Sequence, residues 1–358
     1  MKKLIGISLL SLFILTGCDN DDEKNVELTS DEAKALVNNS ADKIGDDVVS
    51  LIESDGTQAI MDFADLLENS AVIGGRVSEK AWTKEKLDLI IQYFVDGPAA
   101  RVSNDDPMTF DDIKGLYEWN PETQDFDKEA SEFFIVKFPT EGSQTNNAEL
   151  KISQLEFVTI REVHADYVDE YELPTVIVGY VKVDDVTVIE LDFSANWSST
   201  GAPEKADVSL FVTPFTFQLD FDDTFDKSSL VSSSMLLGEE SILAVDLTVE
   251  FETADKEEPV YFEGSVSYRD IKIAGNVDVR DIEDDADPND FIDLALFAGD
   301  EKVGDIVFVL EEIEPGFEDY VPYVEYEDGS RDNLEDLLEP VIEDMEEFFA
   351  QFEEEDEF

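Results

Sequence analysis

Cysteine and histidine occur once each among 358 residues, and 24 Lys and Arg stand against 89 Asp and Glu. Each scarcity excludes something. Cys18 alone permits no internal disulfide and no thiolate-rich metal site, and His164 alone permits no multi-histidine site. A formal charge of −65 leaves too few cations to neutralise a run of phosphates, which excludes nucleic acid as a partner. The common catalytic signatures are missing as well: there is no GxSxG elbow, phosphate loop, dinucleotide fingerprint or HExxH. Apolar residues, by contrast, are plentiful. A hydrophobic fraction of 42% with 25 Phe and 10 Tyr describes a chain that folds.

Lys2 and Lys3 followed by the apolar stretch Leu4 to Leu15 form an export leader, too short for a membrane span. It closes with Leu15-Thr16-Gly17-Cys18. That ending resembles the lipobox of bacterial lipoproteins, and the resemblance implies an acylated Cys18 as the mature N-terminus and membrane anchor. Cleavage there removes two lysines and no acid, leaving the mature chain more negative than −65. Asp19, Asn20, Asp21, Asp22 and Glu23 follow at once. The acidic run resembles the surface-export signal of Bacteroidota lipoproteins, which implies an outer-membrane anchor facing the cell surface; the periplasmic face is the alternative. Tyr117-Glu-Trp119-Asn120, Phe138-Pro139, Asn146-Asn147-Ala148 and Tyr326-Glu-Asp-Gly329-Ser330 are similar to stretches in uncharacterised acidic lipoproteins of that group.

Periodicity divides the chain into a signal peptide (1–17), an acidic tether (18–28), a mainly helical region (29–132), an antiparallel β region (133–330) and a C-terminal helix with acidic tail (331–358). Residues 29–352 are expected to form one structural unit. Thr29 and Glu32 have capping-box spacing, and Ala33, Val37, Ala41, Ile44, Val48, Leu51 and Ile52 make an amphipathic stripe. Further helices are expected at Ile60, Phe63 and Leu67 and at Leu87 to Phe94. From Phe134 the period becomes two. Strands are expected at Phe134 to Phe138, Leu150 to Phe157, Ile177 to Val183, Ile189 to Trp197, Val208 to Val212, Phe215 to Phe221, Leu243 to Phe251, Val260 to Tyr268, Ile271 to Val279, Ile306 to Leu310 and Val321 to Tyr326. Leu334, Leu337, Leu338, Val341, Ile342, Met345, Phe348, Phe349 and Phe352 then fall at helical spacing. The expected class is α+β: a helical N-terminal region, a large antiparallel sheet and a C-terminal amphipathic helix packed on it.

Candidate chemistry is sparse. His164 beside Glu162 and Asp166 has the groups of a general base, yet a lone histidine is more often structural. Two carboxylates suffice for a glycosidase, but with 89 acids and only Trp82, Trp119 and Trp197 to stack sugars, proximity of two carries little information. Calcium suits the hard oxygen donors better. Asp281, Glu283, Asp284, Asp285, Asp287, Asn289 and Asp290 form the densest cluster, although Asp290 and Leu296 stand where an EF-hand needs Gly and Glu. Asp220, Asp222, Asp223 and Asp226 form a second. The reading that results is a non-enzymatic binding or scaffold module with a protein, glycan or lipid partner. A carrier of a hydrophobic ligand on the apolar sheet face comes next, and a carboxylate-dependent hydrolase third.

Overall fold

The computed structural model describes residues 30–69, 110, 114–123, 125–163, 168–280, 282 and 286–339. Two helices come first, α1 (Ser30–Ile52) and α2 (Asp55–Asn69). Sixteen strands follow: β1 (Gly115–Asn120), β2 (Asp125–Glu129), β3 (Phe134–Phe138), β4 (Ala148–Val163), β5 (Val168–Val183), β6 (Val186–Trp197), β7 (Pro203–Val212) and β8 (Phe215–Asp222). The remainder are β9 (Ser228–Leu237), β10 (Glu240–Phe251), β11 (Pro259–Tyr268), β12 (Ile271–Asp278), β13 (Ile292–Ala298), β14 (Glu301–Glu314), β15 (Phe317–Tyr326) and β16 (Arg331–Asn333). All belong to one sheet, ordered β16 through β3 in reverse sequence and then β1 and β2. Neighbours in sequence are thus neighbours in the sheet, as short connections dictate.

This overturns the expected α+β class with its helical front and its C-terminal helix as a packed layer. The chain is predominantly β, and residues 115–129 of the supposed helical region are β1 and β2. Two short strands broken by charges, Leu-Tyr-Glu-Trp and Asp-Phe-Asp-Lys, show no clear period of two, and only pairing reveals them. The sheet is also mixed, because β1 runs parallel to β3 while the other paired strands are antiparallel. Residues 334–339 are helical, with Leu334 and Leu337 each 4% exposed. The expected helices at 87–94 and from Val341 to Phe352 lie outside the described residues, as does the leader.

Most expected strands form, and Asp184 and Asp185 take positive φ in the two-residue turn joining β5 to β6, the backbone a tight hairpin requires. Strands β9 and β13 carried no sequence signal. Serine falls on both faces of β9, and β13 is a short continuous apolar run.

The chain forms two compact units, residues 1–50 with 218–358 and residues 51–217. In the first, α1 lays Ala33 and Val37 on the apolar face of β12 to β15, against Ile273, Leu296, Ile306 and Val324. Gly275 takes φ +149 in β12, where a Cβ would lie 2.0 Å from the Asp293 carbonyl oxygen. In the second, Ser54 caps α2 by accepting from the Thr57 N–H at 3.2 Å. The buried face of α2 is Ala59 and Phe63, while Ile60, expected inside, is 44% exposed. Phe63 meets Phe138 (ring centroids 4.8 Å) and Phe126, both in the same core.

Candidate functional site

Cys18, His164, Trp82, Asp281, Glu283, Asp284 and Asp285 lie outside the described residues. Of the calcium cluster, Asp287, Asn289 and Asp290 are described, the last two in the 3-10 turn Pro288–Asp290 and Asp287 just before it. Asp287 caps that turn, its Oδ1 accepting from the Asn289 N–H and Nδ2. Asn289 in turn donates Nδ2 to the Phe308 carbonyl at 2.7 Å and accepts the Phe308 N–H at 2.8 Å. The side chains with alternating donor spacing therefore clasp the turn to β14. In the second acidic cluster, Asp222 accepts from Thr224, and Asp223 pairs with Lys256 at 2.7 Å and accepts from the Ser229 hydroxyl. Lys256 also donates to the carbonyls of Asp223 and Ser228, tying down the β8–β9 loop. Among the described residues no group of three or more His, Cys, Asp or Glu is arranged to hold a metal.

Residues of the stretches at 117–120, 146–148 and 326–330 make structural contacts. Asn146 donates to the Trp119 carbonyl at 2.9 Å, and Asn147 accepts the Thr140 N–H at 3.0 Å. Tyr326 donates to Asp332, which also pairs with Lys34 of α1 at 2.6 Å. The two described tryptophans are likewise engaged. Trp119 sits edge-on to Phe126, and Trp197 donates to the Pro174 carbonyl at 2.7 Å.

One buried charge pair escaped the sequence reading altogether. Arg269, at the β11–β12 turn, grips both oxygens of Asp47 from α1 at 2.7 Å, with the two side chains 8% and 9% exposed. Tyr268 donates to the same carboxylate at 3.1 Å, and Glu240 pairs with Arg269 from the rim. Burial pulls the guanidinium pKa down, but hydrogen bonding to Asp47 and Tyr268 and the charges of Asp47 and Glu240 together outweigh it, so the net shift is upward. The Tyr268 phenol is raised, by burial above all. The signal was available: among the described side chains of α1, Ala33, Val37, Ser40 and Asp47 are buried, and 3–4 stepping from Ala33 reaches Asp47.

The strongest candidate for recognition lies on the outer face of the second unit, opposite the Phe134, Val136 and Phe138 core. Register sets Glu118, Lys137, Glu149 and Lys182 side by side across β1, β3, β4 and β5. The adjacent row is Ile135, Lys151, Tyr180 and Glu190. Lys137 reaches Glu118 at 3.8 Å and Glu149 at 3.9 Å. Lys151 stands 3.9 Å from the Phe133 ring centre and Lys182 4.5 Å from that of Tyr180, both in cation–π range. Tyr180 donates to Glu149 at 2.9 Å, and burial together with that bond holds its phenol up to about 12. Further along the same face a shallow cavity of about 220 Å³ opens among Glu156, Thr175, Ser194, Asn196, Lys205 and Asp207. Its polar lining and small volume suit one group of a larger partner better than a whole drug-sized ligand.

Among the described residues no helix is long and apolar enough to cross a membrane, which says nothing of strands. Compared with family models, curated proteins and solved structures, the chain has no match, so its geometry alone carries the functional argument.

Proposed function

We propose that this chain is a lipid-anchored, surface-facing binding module without catalytic activity, held to the outer membrane through acylated Cys18, that recognises a partner on the outer face of β3 to β6. One observation carries the reading: in a chain of net charge −65, three lysines and three glutamates alternate around Tyr180 and Phe133 on one face. A partner meets balanced charge here, with aromatic rings of the kind interfaces favour under the lysines. The neighbouring polar cavity makes a glycan or a protein loop a fitting partner. The test is binding of the full chain, in zwitterionic nanodiscs, to a panel of soluble glycans and surface-protein loops. Lys151→Ala with Tyr180→Ala should abolish any binding found; binding that survives both changes overturns the assignment of the face. Cys18→Ser should leave folding intact and release the protein from the membrane fraction, and protease shaving of intact cells separates the outer surface from the periplasmic face.

A specific observation favours a second reading. The apolar rows that α1 buries on β12 to β15 continue onto β10 and β11, where Val245, Leu247, Phe262 and Val266 are only half-buried. Such a face suits a hydrophobic ligand. Native mass spectrometry of the purified chain decides: a copurifying lipid promotes the carrier reading, and its displacement by Leu247→Glu locates it.

A further inference from the structure

We propose that the tip of the β14–β15 hairpin is a docking finger for a basic, apolar segment of a partner protein. Strand β13 accompanies β14 only over residues 301–306, and Asn289 clasps Phe308 just beyond. From there β14 and β15 continue as a pair to Glu314 and Phe317. From Leu310 to Asp319 every residue whose side chain is described is exposed. Three of these are large and apolar: Leu310 at 51%, Ile313 at 43% and Phe317 at 53% exposure.

Register supplies the second observation. Glu311 stands directly opposite Asp319, and Glu312 directly opposite Glu318, on adjacent residues and therefore on opposite faces of the hairpin. Carboxylates in directly opposed positions have Cβ atoms about 5 Å apart and destabilise the pairing. Glu311 accepts from the Tyr323 hydroxyl and Glu312 from the Gly316 N–H, neither of which brings positive charge. A cationic segment folded over the hairpin end reaches one pair from each face, with Leu310 on the face of Glu312 and Glu318 and Phe317 on the face of Glu311 and Asp319 as contact area. Charge complementarity chooses the occupant: a second copy of this chain and an anionic lipid surface are both repelled by a net −65. A segment with Lys or Arg interleaved with leucine-like residues fits both features.

The probe is a labelled peptide of alternating Lys and Leu, with the full chain in zwitterionic nanodiscs at about 0.15 M salt, where the screening length is about 8 Å. Binding should protect the amides of residues 309–321 from hydrogen exchange. Leu310→Ser, Ile313→Ser and Phe317→Ser together should weaken the probe at least tenfold with little change in melting temperature, since all three side chains are exposed. A Lys–Ser peptide, which senses only diffuse acid, should bind wild type and variant alike. Affinity for the Lys–Leu peptide within twofold of wild type in the triple variant, or protection spread over the acidic surface, overturns the proposal. Glu318→Lys provides an independent arm: it should raise the melting temperature by about a degree by pairing with Glu312 and weaken the probe, whereas a lowered melting temperature refutes the like-charge argument.

Discussion

At Asp47 an amphipathic helix carries a carboxylate on its buried line, and one arginine makes that tolerable. Removing either partner leaves a buried charge alone, which costs far more than the pair contributes. Asp47→Asn should therefore destabilise the chain by about 2–4 kcal/mol, with Glu240 offsetting part of the loss. Asp47→Leu combined with Arg269→Met should cost less than either single change; chemical denaturation of the three variants measures it, and simple additivity would refute a coupled pair. Tyr180 makes a prediction in pH. Its folded pKa is raised to about 12 from an ordinary 10, so the folded state holds the proton that the unfolded chain releases. The contribution is fully present below pH 10 and is lost as pH rises through 12. Melting temperature should fall across that window and fall less in Tyr180→Phe; equal slopes would show that the phenol is not the cause. At this scale the sequence is half legible. Phe63 was readable as core, but Ala59 rather than Ile60 shares its face, because Ala59 lies one helical turn before Phe63 and packs with Val181 and Val188.

Elements were legible where one face is apolar and a turn residue marks the end. The β5–β6 hairpin, with Asp184 and Asp185 between alternating runs, needs no tertiary information. Strand β9 does, since serines at 232, 233 and 234 occupy both faces and only pairing with β8 and β10 commits it. Gly275 exemplifies a constraint belonging to an element rather than a residue: its positive φ lets β12 approach the Asp293 carbonyl. Gly275→Ala should break the β12–β13 ladder locally and cost about 3 kcal/mol or more through strain and lost pairing. Hydrogen exchange checks this, with protection expected to drop first at Ala274, Asn276 and Leu294. Unchanged protection there would refute the close approach as a determinant of register. The candidate sites divide along the same line. The acidic stretch at 281–290 was visible as composition, whereas the roles of Asp287 and Asn289 as clasps on β14 follow from contacts nineteen residues apart.

For the whole molecule, charge is the dominating quantity. Self-repulsion at −65 should make stability rise with ionic strength as the screening length shrinks from about 30 Å at 0.01 M to about 3 Å at 1 M. A melting temperature that climbs by several degrees over that range is expected, and a flat profile would show that local pairs such as Lys137 with Glu149 already absorb the repulsion. Net charge, the single cysteine and the alternation of most strands are properties of the chain read in order, so the sequence by itself determined them. The register across strands is not local. Alternation tells which face a residue takes but not which residue stands beside it, because a slip of two preserves every face. Only the tertiary structure could therefore decide that Glu118, Lys137, Glu149 and Lys182 form one ladder, that Glu312 faces Glu318, and that Asp47 meets Arg269 across 222 positions of sequence.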